Sequence, residues 1–354
     1  MSRNNVNLEN NSKIVDSKAI ESKPFQFYIQ TVGRGQKRRR SLTQAEARDA
    51  MTMILAGQVS EMQLGAFLML IRVREETPEE AAGFLQAIRE TMNAPSCDVD
   101  LDWGTYAGKR RQLPWFMLAL TLLQSKGYKI LLHGVVGNET TRLYTQEVAE
   151  LLEWPIADSL DRAKVLIETK GFCYLDVKDF APHIKTLMNY RDELGLRSPI
   201  HSLARMLNPF NARLSVHGVF HKGYDDIHQA CAALLDDQMT ASFCGDGGEA
   251  EVRPDRNTEI KMVENVFDEN GQRNTLTDQA WSFFMPKTFL DSDPTDKCLD
   301  TAVLLAVWQG KAEHAYGQAA AIQTLAMALM ALDNLTLGEA FATAEVLWSK
   351  RLES

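Results

Sequence analysis

The sequence predicts an α/β protein fronted by a small helical domain. Three observations carry this. The first 95 residues hold helix start and stop signals and little catalytic chemistry. From Val99 onward, short apolar strands alternate with helices. The last sixty residues, from Thr295, read as three helices. A chain of 354 residues, 45% of them apolar, suggests about two domains with ample core. The expected division is a flexible tail over 1–23, a small helical domain over 24–95 with a helical insertion at about 180–207, and a large α/β domain from 96–179 and 208–354.

At the front, Phe25, Tyr28 and Ile29 share one helical face, predicting a helix over 24–32. Gly33 and Gly35 bracket Arg34 ahead of Lys37, Arg38, Arg39 and Arg40. Ser41 or Thr43 caps a helix over 44–56, which Gly57 stops. Ser60 with Gln63, and Thr77 with Pro78 and Glu80, start two more. In the central stretch, Val99, Leu101 and Trp103 alternate with Asp100 and Asp102, predicting a strand. A turn from Gly104 to Gly108 precedes Lys109, Arg110 and Arg111, and Pro114 opens an apolar helix over 115–124. A second strand over 128–132 runs into a loop at 133–137. This βαβ unit places a ligand crevice at the strands' C-terminal ends. A loop entering a helix in this way offers amides and a positive dipole end to an anion. Beyond it, helices are expected at 141–152, 160–169, 182–207 (broken at Gly195 and near Pro199) and 225–235. Strands are expected at 172–177, 214–220, 241–244 and 260–267.

Five scattered cysteines, none in CxxC spacing, fit a reducing cytoplasm and argue against a disulfide frame or cysteine zinc site. The first twenty residues lack a signal peptide's apolar segment, and the longest apolar stretch, 319–332, reads as a core helix rather than a membrane span. The expected localisation is cytoplasmic, with no membrane partner. The net charge of −9 alone disfavours a polyanion. The cations are clustered, however: Arg34 and 37–40 form an acid-free run, and 103–132 holds five cations and no acid. Such clustering on an acidic chain has the form of an electrostatic footprint. His217, His221 and His228 read as structural histidines rather than zinc ligands. Asp246 and Glu249 in the GDGGE turn are the remaining metal candidates, a turn between strands explaining them equally well.

The front module carries LAGQVS at 55–60, QLGAFL at 63–68 and TPEEAAGF at 77–84, followed by YRDELGLR at 190–197 and Asn208-Pro209. In these residues the chain resembles anthranilate phosphoribosyltransferase, of glycosyltransferase family 3. The resemblance implies a class III phosphoribosyltransferase fold of two domains, like that of nucleoside phosphorylases, and a dimer joined through the helical domain. It also implies a GTGGD loop and a KHGN loop for phosphoribosyl pyrophosphate, and an Asp-Glu pair for magnesium. The chain departs at all three. Gly104, Thr105 and Gly108 frame Tyr106 and Ala107 in the first loop, His133 and Gly134 stand in a second without its lysine or asparagine, and one carboxylate of the metal pair is missing near Glu249. Arg191 matches the arginine that holds the anthranilate carboxylate.

The patterns Val32-Gly33-Arg34-Gly35, Tyr106-x-Gly108-x-Arg110, Leu132-His133-Gly134-Val135 and Thr141-Arg142 resemble the nucleic-acid-binding YbiB branch of that family. This resemblance implies a homodimer that binds nucleic acid with little regard for sequence and has no catalytic residues or cofactor. Single-stranded DNA or RNA is the expected ligand, held by Arg34, Lys37, Arg38, Arg39, Arg40, Tyr106, Lys109, Arg110, Arg111, Arg142, Arg191 and Arg197. Arg205 and Arg213 extend the track, while Trp103 reads as core. The alternative is a phosphoribosyl or other glycosyl transferase with altered substrate, for which magnesium would be the cofactor.

Overall fold

The computed structural model describes residues 23–268, 273, 279–290 and 298–352. Of the expected tail, 1–22 lie outside the described residues, and Lys23 pairs with Glu46 at 3.4 Å. Four helices open the chain: α1 (Gln26–Gly33), α2 (Gln44–Leu55), α3 (Glu61–Arg74) and α4 (Pro78–Met92). Capping boxes form at Thr43, Ser60 and Thr77, so Thr43 rather than Ser41 starts α2. Phe25 meets Phe67 edge-on at 5.3 Å between ring centres, and Phe67 meets Phe84 at 6.0 Å.

The α/β part follows as β1 (Leu101–Thr105), α5 (Phe116–Ser125), β2 (Ile130–Gly134), α6 (Thr145–Leu151), β3 (Ile156–Ala157), α7 (Leu160–Lys170) and β4 (Phe172–Asp176). Four short helices come next: α8 (Val177–Phe180), α9 (Pro182–Asn189), α10 (Arg191–Leu194) and α11 (Ile200–Leu203). Then come β5 (Leu214–Val219), α12 (Tyr224–Ala232), β6 (Met239–Cys244), β7 (Thr258–Glu264), β8 (Gln279–Met285), α13 (Thr301–Trp308), α14 (Ala315–Asp333) and α15 (Leu337–Lys350). The strands form one sheet in the order β3-β4-β2-β1-β5-β6-β7-β8. The first six are parallel, and β7 and β8 extend the sheet antiparallel. Strand order reverses about β1, which lies between β2 and β5, so the crevice for a ligand opens at its C-terminal end.

Two apolar cores result. One joins α1–α4 to Phe180, Ile184, Leu187, Ile200 and Leu203 of the 180–207 segment and to Leu131, Cys173 and Leu175 of the sheet. The other packs α5, α14 and α15 against Leu101, Trp103, Ile130 and Leu132. Among the described residues, α14 is the one helix long and apolar enough to cross a membrane, and most of it is buried inside the fold. Trp103 is fully buried and stacks on Phe116.

The structure corrects the sequence reading in places. The helix expected from 141 starts only at Thr145, because the backbone of Leu143 is taken by a two-way bridge to Lys109. The helical segment expected over 182–207 breaks where expected, at Gly195, which adopts φ +71°, and at Pro199, and it also divides at Tyr190. β3, β8 and α8 escaped the reading. β3 has only two residues, and in β8 the consecutive apolar residues Phe283, Phe284 and Met285 break the alternation. Every residue of β1 is buried, so the polar alternation there marks buried partners rather than a wet face.

Candidate functional site

The C-terminal ends of β1, β5 and β6, the end of α3 and the 197–205 segment enclose a cavity of about 590 Å³. Arg72, Arg110, Arg111, Arg142, Arg197, Arg205 and Arg253 line it, against two carboxylates, Glu76 and Asp246. Burial and the neighbouring Arg142, Arg191 and Arg205 bring the Arg197 guanidinium down to about 10. Burial, reinforced by Arg197, holds His201 neutral with its pKa lowered to about 3. Arg205 is 8% exposed, donates to the His201 carbonyl, and leaves its Nε without a partner. A buried cation short of acceptors favours an anion in the space it faces.

The loop after β1 is built differently from the sequence expectation. Gly104 and Thr105 belong to β1, and His133 and Gly134 to β2, so these are strand ends rather than loop residues. Tyr106, expected to meet bases, is buried, and its hydroxyl lies 2.8 Å from His133 Nδ1. His133 Nε2 stands 3.2 Å from Asp102 Oδ1, which also accepts from Ser215 Oγ at 3.1 Å. Lys109, expected on the nucleic-acid track, is 1% exposed. Its Nζ donates to Asp246 Oδ2 at 2.5 Å and to Glu251 Oε1 at 2.6 Å, so it has no face left for a ligand. Arg110 and Arg111 beside it are exposed.

The anion seats of this loop are filled by the protein itself. Glu249 Oε1 accepts from the amides of Ala107 at 2.8 Å and Gly108 at 2.5 Å, where Gly108 adopts φ +69°. Glu251 Oε2 accepts from the Phe116 amide at the start of α5, at 2.8 Å. These are the backbone groups that a phosphate loop and the following helix would present to a ligand. The magnesium of the transferase alternative does not fit them as they stand. Asp246 is engaged by Lys109, and Glu249 by two amides. Among the described residues no group of three or more His, Cys, Asp or Glu is placed to hold a metal.

Desolvation pushes the Glu251 carboxyl up to about 7, from an ordinary value of 4.5. The folded protein therefore keeps a proton that the unfolded chain releases. This group's contribution to stability is full below about 4.5 and is lost as pH rises through about 7. In Glu251→Gln, the fall of melting temperature with pH across that window is expected to flatten relative to wild type; parallel slopes would contradict it.

The arginines gather around a second internal acid. Glu139, in the loop after β2, receives Arg191 at 2.6 Å, Arg142 at 2.7 Å and Arg110 at 2.9 Å, with Arg197 at 3.9 Å. Hydrogen bonds from Arg142 and Arg191 hold its carboxyl well below the usual range. Arg142 also donates to the Ala107 carbonyl at 2.5 Å, tying this cluster to the β1 loop. Four of the expected residues thus converge on one carboxylate.

The basic run lies between α1 and α2. Arg34, Lys37, Arg38 and Arg39 are exposed and, among the described residues, form no ion pair, while Arg40 pairs with Glu46 at 2.6 Å. The following Ser41 accepts from Arg74 at 2.7 Å, at the end of α3. Arg213, expected to extend the track, instead donates to the Leu332 carbonyl at the end of α14. His217 and His228 are buried with ring centres 5.5 Å apart, and burial holds both neutral. Sequence reasoning missed Arg72, Arg253, Glu139 and Phe220. Arg72 reads as a cation suited to the last turn of a helix, and Phe220 as the apolar end of a strand.

A family model described as the glycosyl transferase family helical bundle domain matches residues 26–92. An uncharacterized protein of Aquifex aeolicus is 34% identical over 222 residues, 62% of this chain and 68% of that one. The anthranilate phosphoribosyltransferase of Saccharolobus solfataricus is 28% identical over 312 residues, 87% of this chain and 88% of its own. The crystal structure of the Thermus thermophilus anthranilate phosphoribosyltransferase superposes with a TM-score of 0.69 at 21% identity, covering 93% of this chain and 95% of that one. The Saccharomyces cerevisiae enzyme, in complex with PRPP and Mg, gives 0.68 at 16% identity, covering 93% and 96%.

Proposed function

From the premise that the chain belongs to the anthranilate phosphoribosyltransferase-like family, with its glycosyl transferase family 3 helical domain, we propose that it binds single-stranded nucleic acid through the arginine-lined cavity and its rim. The carrying observation is that the loop's anion seats are filled by Glu249 and Glu251, while seven arginines line the adjacent cavity and three of them, Arg72, Arg111 and Arg205, form no ion pair among the described residues. Phosphates of a passing strand are held on Arg110, Arg111, Arg197 and the exposed run at 34–39. Such contacts read charge rather than sequence. The protein acts as a homodimer through the helical domain, which doubles the track.

Fluorescence anisotropy of a labelled single-stranded oligonucleotide, titrated at two salt concentrations, tests this. Affinity should fall steeply with salt, with a slope of about −0.7 for each phosphate neutralised. The Arg110→Ala/Arg111→Ala double variant should lessen that slope by roughly 1 to 1.5. Absence of binding at low salt would overturn the reading.

A second reading is a pentosyl transferase with altered substrate. Its support is that the enzyme relative matches 87% of the chain, and that the cavity of about 590 Å³ has small-molecule dimensions. Calorimetric titration with phosphoribosyl pyrophosphate and magnesium separates the two. Heat of binding that Arg197→Ala abolishes, with no oligonucleotide binding, would select the transferase.

A further inference from the structure

We propose that Phe220 is the platform on which one base of the bound strand stacks, an inference that rests on the nucleic-acid reading above. Phe220 follows β5 and is 66% exposed, yet it lines the cavity among the arginines. Its stem is fixed. A Cβ added at Gly248 would fall 3.1 Å from Phe220 Cβ and 3.4 Å from Ala107 Cβ, so the residue sits where the loops after β1, β5 and β6 meet. The ring therefore lies directly beside the loop that Glu249 closes. His221 meets the ring edge-on at 4.9 Å, and Tyr224 follows at 6.4 Å from His221. The Tyr224 hydroxyl accepts from Arg72 at 3.3 Å.

A single exposed phenylalanine needs no explanation on an ordinary surface. In a cavity lined by seven arginines, it selects among anions. Inorganic phosphate gains nothing from an apolar face. A nucleotide within a strand carries both a phosphate for the arginines and a flat π-face for the ring, and such stacking tolerates any base. A duplex keeps its bases stacked on each other, so the site favours single strands.

The test compares wild type, Phe220→Ala and Phe220→Trp in low-salt anisotropy, with a base-bearing oligonucleotide and an abasic strand of equal length. Phe220→Ala should bind the base-bearing strand at least about fivefold more weakly and the abasic strand as wild type does, with an unchanged salt slope. Phe220→Trp should retain affinity, and its added fluorescence should be quenched on binding. Equal affinity of wild type and Phe220→Ala for the base-bearing strand would overturn the platform while leaving the binding function intact. No binding of either strand by wild type would overturn both. Displacement of the strand by micromolar nucleoside monophosphate would reassign the cavity to a free nucleotide and overturn the strand assignment.

Discussion

The Lys109→Ala variant is expected to be less stable than wild type by about 3–5 kcal/mol, the usual cost of breaking a buried ion pair from one side. Lys109 is the counter-charge for Asp246 and, above about pH 7 where Glu251 is ionised, for the wholly buried Glu251 as well. Its removal leaves both without their cation. The backbone of Lys109 also bridges Leu143, so the loops after β1 and β2 are expected to loosen together. Urea unfolding measures the loss. The triple variant that also carries Asp246→Asn and Glu251→Gln should recover part of it, because no unpaired charge then stays buried. The neighbouring exposed residues serve as the contrast: Arg110→Ala and Arg111→Ala should each stay within about 0.5 kcal/mol of wild type. A Lys109→Ala variant within that same margin would contradict the ionic role.

Replacing Glu139 with glutamine is expected to tighten single-strand binding. On the proposed reading, this carboxylate competes with a ligand phosphate for Arg110, Arg142, Arg191 and Arg197, which it engages in the free protein. A ligand phosphate must displace it or settle for what remains of the arginines' donors. Glutamine removes the competing charge while keeping the side chain's shape. Affinity at low salt should rise by on the order of tenfold, and the salt slope should steepen by about 0.7 for each further phosphate engaged. Anisotropy at two salt concentrations measures both. Unchanged or weaker binding would show that Glu139 orders the arginines for the ligand rather than competing with it.

Much of the fold was legible because it is set locally. The caps at Ser60 and Thr77, the stop at Gly57 and the strand read from the alternation over 99–103 are short-range signals, and each is realised in the structure, the strand as Leu101–Thr105. The site was legible as a concentration of cations but not as an arrangement. In the triplet Lys109-Arg110-Arg111 nothing marks the first as buried, since its partners Asp246 and Glu251 lie 137 and 142 residues away. Glu139 looks like an ordinary loop acid until four arginines close on it. Tyr106 was read as an exposed aromatic because its buried partner, His133, lies on the next strand. In each case the sequence shows the group, and the tertiary contact decides which way it faces.

The Glu249 contact also holds the loop after β1 closed against an outside anion. Loss of Glu249 alone leaves the amides of Ala107 and Gly108 without their acceptor, at about 1–3 kcal/mol per buried group. Even then Lys109 stays locked to its two acids, and Tyr106 stays buried against His133. Emptying this seat for an outside anion therefore takes more than one substitution, because Glu249 and the Lys109 ion pairs hold the loop from two sides.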